Sequence, residues 1–151
     1  MPDLLVRLYD LPAAPGLVQD LVRRAFAAEK QLVARWIGEE FSPGWASEAE
    51  AAFARQPVSC FIAVENEQLL GFACYDATAR GFFGPFGVAK SARGRGLGRA
   101  LLHATLLDMR ANGYGYAIIG CAAEIEFYRK ETGAIEIPNS APGFYRGLLR
   151  P

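Results

Sequence analysis

The chain has 151 residues, 52% hydrophobic and 21% charged, a composition that excludes a disordered segment and suffices for one folded domain over residues 1–151. Sixteen basic and sixteen acidic side chains cancel to a net charge of zero, so no global field recruits nucleic acid or an anionic membrane. No apolar run nears the ~20 residues of a membrane span, and Met1–Asp10 carries Asp3 and Arg7 where a secretory signal is apolar, so the expected location is the cytoplasm.

In chain order, Leu4–Tyr9 reads as a short strand stopped by the Pro12-Ala13-Ala14-Pro15-Gly16 run. From Leu17 the apolar residues take helical spacing through Leu21, Val22, Phe26, Leu32, Val33, Trp36 and Ile37, which predicts one long helix or two before Ser42-Pro43-Gly44. Ser47 with Glu50 three residues on predicts a capping box opening a short helix to Arg55. Ser59–Val64 and Leu69–Asp76 read as a hairpin around Glu65-Asn66-Glu67-Gln68. With Asn66-Glu67 as a two-residue loop, Cys60 faces Ala73 and Cys74 faces Ser59, so the two thiols point to opposite sides. Cys60, Cys74 and Cys121 are expected to be reduced and buried, and no Cys/His spacing suits a metal.

Gly81–Val88 is a third strand, but Pro85 inside it cannot donate to a ladder, and Gly84 and Gly87 flank it, so the strand is expected to be distorted. Then comes Arg93-Gly94-Arg95-Gly96-Leu97-Gly98-Arg99. Three glycines let backbone N–H groups converge, three arginines add charge, and a helix from about Leu97 to Ala111 adds its orphan N–H groups and dipole. The stretch reads as a seat for a pyrophosphate. Asn112-Gly113 closes that helix, Tyr116–Cys121 reads as a buried strand, and Glu124–Thr132 as a short helix capped by Gly133. Ala134–Ile137 and Phe144–Leu149 are final strand candidates flanking the turn Pro138–Gly143. The predicted order is β-α-α-β-β-β-α-β-α-β-β, a mixed, largely antiparallel α/β (α+β) sheet of about seven strands with helices on both faces.

Val88 to Leu102, with Arg93-x-x-Gly96-x-Gly98 at its centre, resembles the acetyl-CoA motif [Q/R]-x-x-G-x-[G/A] of the GNAT N-acetyltransferase superfamily, and Val88 stands five residues before the arginine as the family's strand-ending valine does. Phe127-Tyr128 followed by Gly133-Ala134 is similar to the family's second conserved segment, and the element order agrees along nearly the whole chain. The resemblance implies acetyl transfer from acetyl-CoA, without a metal, to a small-molecule amine or a peptide N-terminus. Phe86, Gly87 and Val88 are then backbone contacts to the pantetheine and thioester, and Arg93, Gly94, Arg95, Gly96, Leu97, Gly98 and Arg99 bind the pyrophosphate. Tyr128 stands where many members carry the acid that protonates the leaving thiolate. No acid occurs in Gly81–Val88, where some relatives place a glutamate base, so Glu39, Glu40, Glu124, Glu126, a water chain or solvent are the remaining bases. That gap leaves a non-catalytic acyl-CoA sensor as the alternative. Trp36, Phe41, Trp45, Phe144 and Tyr145 flank loops that border the acceptor side in this architecture, although such residues are more often core. Dimerisation is common in the family, so a homodimer is among the assemblies open to the chain. His103, the sole histidine, is expected on the solvated helix face with Arg99 and Arg110.

Overall fold

A computed structural model describes every residue, Met1–Pro151. Seven strands, β1 (Leu4–Arg7), β2 (Val22–Arg24), β3 (Cys60–Glu65), β4 (Gln68–Tyr75), β5 (Phe82–Val88), β6 (Tyr116–Ile119) and β7 (Ile135–Glu136), form one sheet in the order β2-β3-β4-β5-β6-β1-β7. All neighbours are antiparallel except β5 and β6. The helices are α1 (Lys30–Glu40), α2 (Pro43–Phe53), α3 (Leu97–Ala111) and α4 (Ile125–Thr132).

Alternation along β4 assigns the two faces. Phe72 and Cys74 point into a core shared with Val33, Ile37, Ala49, Ala52 and Phe53, so α1 and α2 cover that side. Ala73 and Tyr75 point the other way, into a core built on Leu97, Leu101, Leu106 and Met109 of α3 with Tyr128 of α4. Helices therefore lie on both faces, as the pattern predicts.

Several local expectations are corrected. Leu17–Leu21 is not helical, and Val22–Arg24 is an edge strand paired with Phe61–Ala63. The α2 helix starts at Pro43, not near Ser47. Ser42 is its cap, accepting a bond from the Trp45 N–H (3.1 Å), and proline suits the first turn because its missing N–H is an orphan there. The hairpin loop is Asn66-Glu67 as expected, both with positive φ, the twist such two-residue loops need. Leu70 is an extra residue in the ladder, however, since Val64 pairs with Leu69 but Ala63 with Gly71. This one-residue slip places Cys60 opposite Cys74, and both are free thiols in the α1–α2 core. Cys121 is only half-buried.

Phe144–Leu149 forms turns, not a strand. The sheet position beside β6 is filled by the N-terminal strand, with Leu4 opposite Ile119 and Arg7 opposite Tyr116, while β7 pairs with the far edge of β1. Phe144 instead stacks against Phe82, ring centroids 4.6 Å apart. The segment after β1 turns at Leu8–Asp10 instead of continuing the strand to Tyr9.

Candidate functional site

The distortion anticipated around Pro85 is present. Ala73 pairs with Phe86 but Tyr75 with Phe83, so β5 carries an extra residue at Gly84–Pro85. On its other side β5 pairs with β6 only at Phe82 and Phe83, and beyond them the two parallel strands part. The Ala89 N–H bond to the Leu70 carbonyl (2.8 Å) makes Gly71–Val88 a non-hydrogen-bonded pair. By the alternation of an antiparallel ladder, Phe86 and Val88 turn their N–H and C=O groups toward the opening, and Gly87 turns its own toward Phe72. A free strand edge thus runs along one wall of the split. Gly87 has a separate reason to lack a side chain. A Cβ there lies 2.5 Å from Cζ of Phe41, so the aromatic ring rests directly on the backbone.

The glycine-arginine loop lies at the top of this edge. Gly94 and Gly96 both have φ of +80°, a conformation other residues enter with strain. None of the N–H groups from Gly94 to Arg99 meets an acceptor in the protein, and the first regular bond is Ala100 N–H to the Gly96 carbonyl (3.1 Å). Leu97 is buried and anchors the turn, and Gly98 faces the Phe86 ring, where a Cβ would make only ordinary contact at 3.5 Å. The result is an open row of donors at a helix N-terminus, shaped to receive an anion.

The arginine side chains are engaged elsewhere. Arg95 pairs with Glu65 (3.0 Å), and Arg99 bonds Glu131 through Nε (2.7 Å) and the Pro15 carbonyl through a terminal nitrogen. Arg93 reaches back to the Val88 carbonyl at 3.4 Å. His103, expected on the surface, is buried. Its Nε2 lies 3.1 Å from the same Glu131 oxygen that Arg99 contacts. Burial alone pushes the Glu131 carboxyl up, but hydrogen bonds from Arg99 and His103 outweigh it and hold the group below the ordinary carboxylate range.

Tyr128 projects from α4 into the floor of the split, among Phe83 (6.3 Å), Phe86 (6.4 Å) and Phe127 (5.4 Å between centroids). It is buried, and its hydroxyl bonds no protein group. Desolvation, then the nearby Glu124 charge, pushes its pKa far above the ordinary tyrosine value, so the hydroxyl stays protonated at neutral pH. A cavity of about 410 Å³ beside α4 is lined by Glu124, Ile125, Glu126, Phe127, Arg129 and neighbours. Glu39, Glu40, Glu124 and Glu126 are all exposed.

On the opposite face of the split stand groups that periodicity alone does not single out. Phe41 and Trp45 (5.2 Å between centroids) pack with Phe72, and Glu48 follows one helical turn after Trp45. Tyr145 donates its hydroxyl proton to Glu48 (2.7 and 2.8 Å to the two oxygens) and lies 3.1 Å from the Thr78 hydroxyl. The only advance signal for Glu48 was its i+3 spacing from an aromatic residue near a loop.

No helix of the chain is long and apolar enough to cross a membrane. No curated protein matches the chain in sequence. Among solved structures, a GCN5-related glucosamine N-acetyltransferase region of a fungal multi-domain GH3 β-N-acetylglucosaminidase is similar over 90% of this chain and 19% of its own, with TM-score 0.72 and 14% identity. A GCN5-related N-acetyltransferase from Sphaerobacter thermophilus matches 90% of this chain and 48% of its own (TM-score 0.65, 20% identity). A GNAT family acetyltransferase from Brucella melitensis in complex with acetyl-CoA matches 72% and 79% (TM-score 0.55, 20% identity). The chain thus spans about a fifth and about half of the first two proteins. These likenesses are of fold, and the family model described as acetyltransferase (GNAT) family matches residues 19–134, from just before β2 to the end of the α4 cap. With that match over most of its length, the chain belongs to the GNAT acetyltransferase family.

Proposed function

We propose that the chain transfers an acetyl group from acetyl-CoA to an amine. The observation that carries the reading is the unpartnered N–H row Gly94–Arg99 standing in line with the free edge of Phe86 and Val88. Such a pair of features suits a ligand with a pyrophosphate at one end and an amide-bearing arm behind it. The loop N–H groups of Gly94, Arg95, Gly96, Leu97, Gly98 and Arg99 hold the pyrophosphate, and Arg93 supplements their charge from the strand side. The pantetheine arm adds to the sheet along Phe86 and Val88. Gly87 between them turns its N–H and C=O toward Phe72 and carries the Phe41 ring, so the arm pairs with its two neighbours. The acetyl-CoA held by the Brucella protein is consistent with this ligand.

In the reaction the neutral amine nitrogen attacks the thioester carbonyl carbon. A backbone N–H near the Gly84–Pro85 bulge stabilises the oxyanion. The nitrogen gives up one proton to solvent water, the C–S bond breaks with its electron pair on sulfur, and the sulfur takes a proton from Tyr128, which is reprotonated from solvent. The products are an N-acetyl amine and free CoA thiol. Tyr128 suits the donor role by position, since it lies beside Phe86 of the free edge with its hydroxyl bound to no protein group. Three free cysteines fit a reducing compartment such as the cytoplasm, and the whole chain acts as one domain in this account.

The absence of an acid on Phe82–Val88 favours one second reading, a sensor that binds acyl-CoA without turnover. Thiol release from acetyl-CoA against a panel of small amines and peptide N-termini separates the two, with product mass identifying the acceptor. Turnover with at least one amine supports the enzyme, and tight acetyl-CoA binding without thiol release supports the sensor. Tyr128→Phe lowers kcat by about 10²-fold if the hydroxyl is the acid, and an unchanged kcat removes it from the mechanism.

A further inference from the structure

Buried and half-buried carboxylates in this protein face a cation almost without exception. Glu29 pairs with Arg23, Glu65 with Arg95, Asp76 with Arg55, Asp108 with Arg24, and Glu131 with Arg99. Asp3, which has no cation, accepts the backbone N–H groups of Cys121 (2.7 Å) and Phe144 (3.1 Å). Glu48 is half-buried and has neither, only the neutral hydroxyl of Tyr145 on its two oxygens. No arginine, lysine or histidine lies within ion-pair distance of it.

Its place in the fold is specific. Trp45 packs on Phe72, whose partner on β5 is Gly87. One turn along α2, Glu48 accepts the Tyr145 hydroxyl, Tyr145 packs on Phe144 (5.9 Å between centroids), and Phe144 packs on Phe82 (4.6 Å), two residues before the Gly84–Pro85 bulge. Cys74 stands between the pairs Ala73–Phe86 and Tyr75–Phe83, opposite the Gly84–Pro85 bulge. An uncompensated carboxylate on α2 therefore stands, through Tyr145 and Phe144, toward the start of β5, while Tyr128 packs among Phe83 and Phe86. Tyr145 and, through it, Thr78 fix the carboxylate, and Phe41 and Trp45 give the adjoining wall an aromatic surface that attracts cations as well as apolar matter.

We propose that Glu48, braced by Tyr145, receives the ammonium of the acceptor, and that the acceptor is a primary amine on an apolar aryl or alkyl body lying along Phe41 and Trp45. This rests on the acetyl-transfer reading for the position of the thioester. A carboxylate there holds the cation near the start of β5 until it gives one proton to solvent water and attacks as the neutral amine.

The test uses the CoA-loaded protein, in which no acetyl group is present to react. Phenethylamine and its neutral isostere phenethyl alcohol are titrated while tryptophan fluorescence is followed. Wild type binds the amine at least tenfold more tightly than the alcohol, Glu48→Gln binds both alike, and Tyr145→Phe keeps part of the preference. In turnover, Glu48→Gln raises KM for phenethylamine at least tenfold while acetyl-CoA affinity by calorimetry stays within twofold of wild type. A wild type with no preference for the amine, or a Glu48→Gln variant that keeps it, overturns the proposal, and the wild-type comparison holds even if the variant folds poorly. Thiol release that Glu48→Gln leaves untouched sinks the proposal alone. Amine preference lost in Glu48→Gln with no thiol release in wild type upholds Glu48 as the ammonium site and removes acetyl transfer.

Discussion

The two ends of α3 are opposites. At its N-terminal end six N–H groups, Gly94 to Arg99, face outward with no acceptor. At its C-terminal end the side chains of a network answer one another. Asp108 accepts two bonds from Arg24 (2.7 and 3.1 Å) and one from the Tyr75 hydroxyl (2.7 Å). The Asn112 amide donates to the Tyr75 hydroxyl and to the Asp108 carbonyl, and Tyr114 donates to Asp76 (2.6 Å), which also takes the Gly81 N–H. Burial, then the bond to Asp108, pushes the Tyr75 pKa up, so this hydroxyl serves as a fixed donor. A hollow of about 750 Å³ lies beside this end, and its Arg55, Tyr75, Asp76, Asn112 and Tyr114 walls are bound into these pairs. Polar groups that satisfy each other hold a fold together, and polar groups left waiting mark where a ligand belongs.

The sharpest break of this comparison is Asp108→Ala. It strands Arg24 and the Tyr75 hydroxyl, and the expected loss is about 2–4 kcal/mol of stability by urea denaturation, with acetyl-CoA affinity within twofold of wild type. Gly96→Val is the counterpart at the other end. Its φ of +80° adds strain of about 1–2 kcal/mol, and the displaced N–H groups weaken acetyl-CoA binding tenfold or more by calorimetry. Arg95→Ala, which removes only an exposed pair with Glu65, weakens binding less than Gly96→Val, and the reverse order contradicts a backbone cradle.

Glu131→Gln tests a bracket between α3 and α4. The folded carboxyl lies below the ordinary value of 4.5, so its stabilisation is present above that pH and is lost as pH falls through the lowered folded value. Wild type therefore loses thermal stability below about pH 4.5, the variant loses less over that range, and at neutral pH the variant is weaker by about 1–2 kcal/mol. Equal acid limbs in the two proteins contradict the pairing. The smallest expected effect is Arg93→Ala, a change of threefold or less in acetyl-CoA affinity with stability unchanged, because its bond to Val88 is long and exposed.

The α3 helix was legible because its signals are local: Gly96 before it, Asn112-Gly113 after it and an apolar stripe between. The distorted strand was legible through Pro85. What escaped depends on distant chain. The Val22–Arg24 strand exists because β3 offers an edge, not because three residues show a period. Phe144–Leu149 has strand-like residues, but β1 already holds the position beside β6. His103 looked solvated until Glu131 of α4 was set against it, and the cysteines met only after Leu70 slipped the register. In the site, the donor loop was readable, but the pairing of its arginines with Glu65 and Glu131, 30 and 32 residues away, was not.

Amide chemical-shift mapping by two-dimensional NMR on addition of acetyl-CoA tests the open cradle most directly. The account predicts large shifts at Gly94–Arg99 and at Phe86 and Val88, with Asp108, Asn112 and Tyr114 unmoved. Shifts centred on the C-terminal end of α3, or saturation with none at Gly94–Arg99, contradict it.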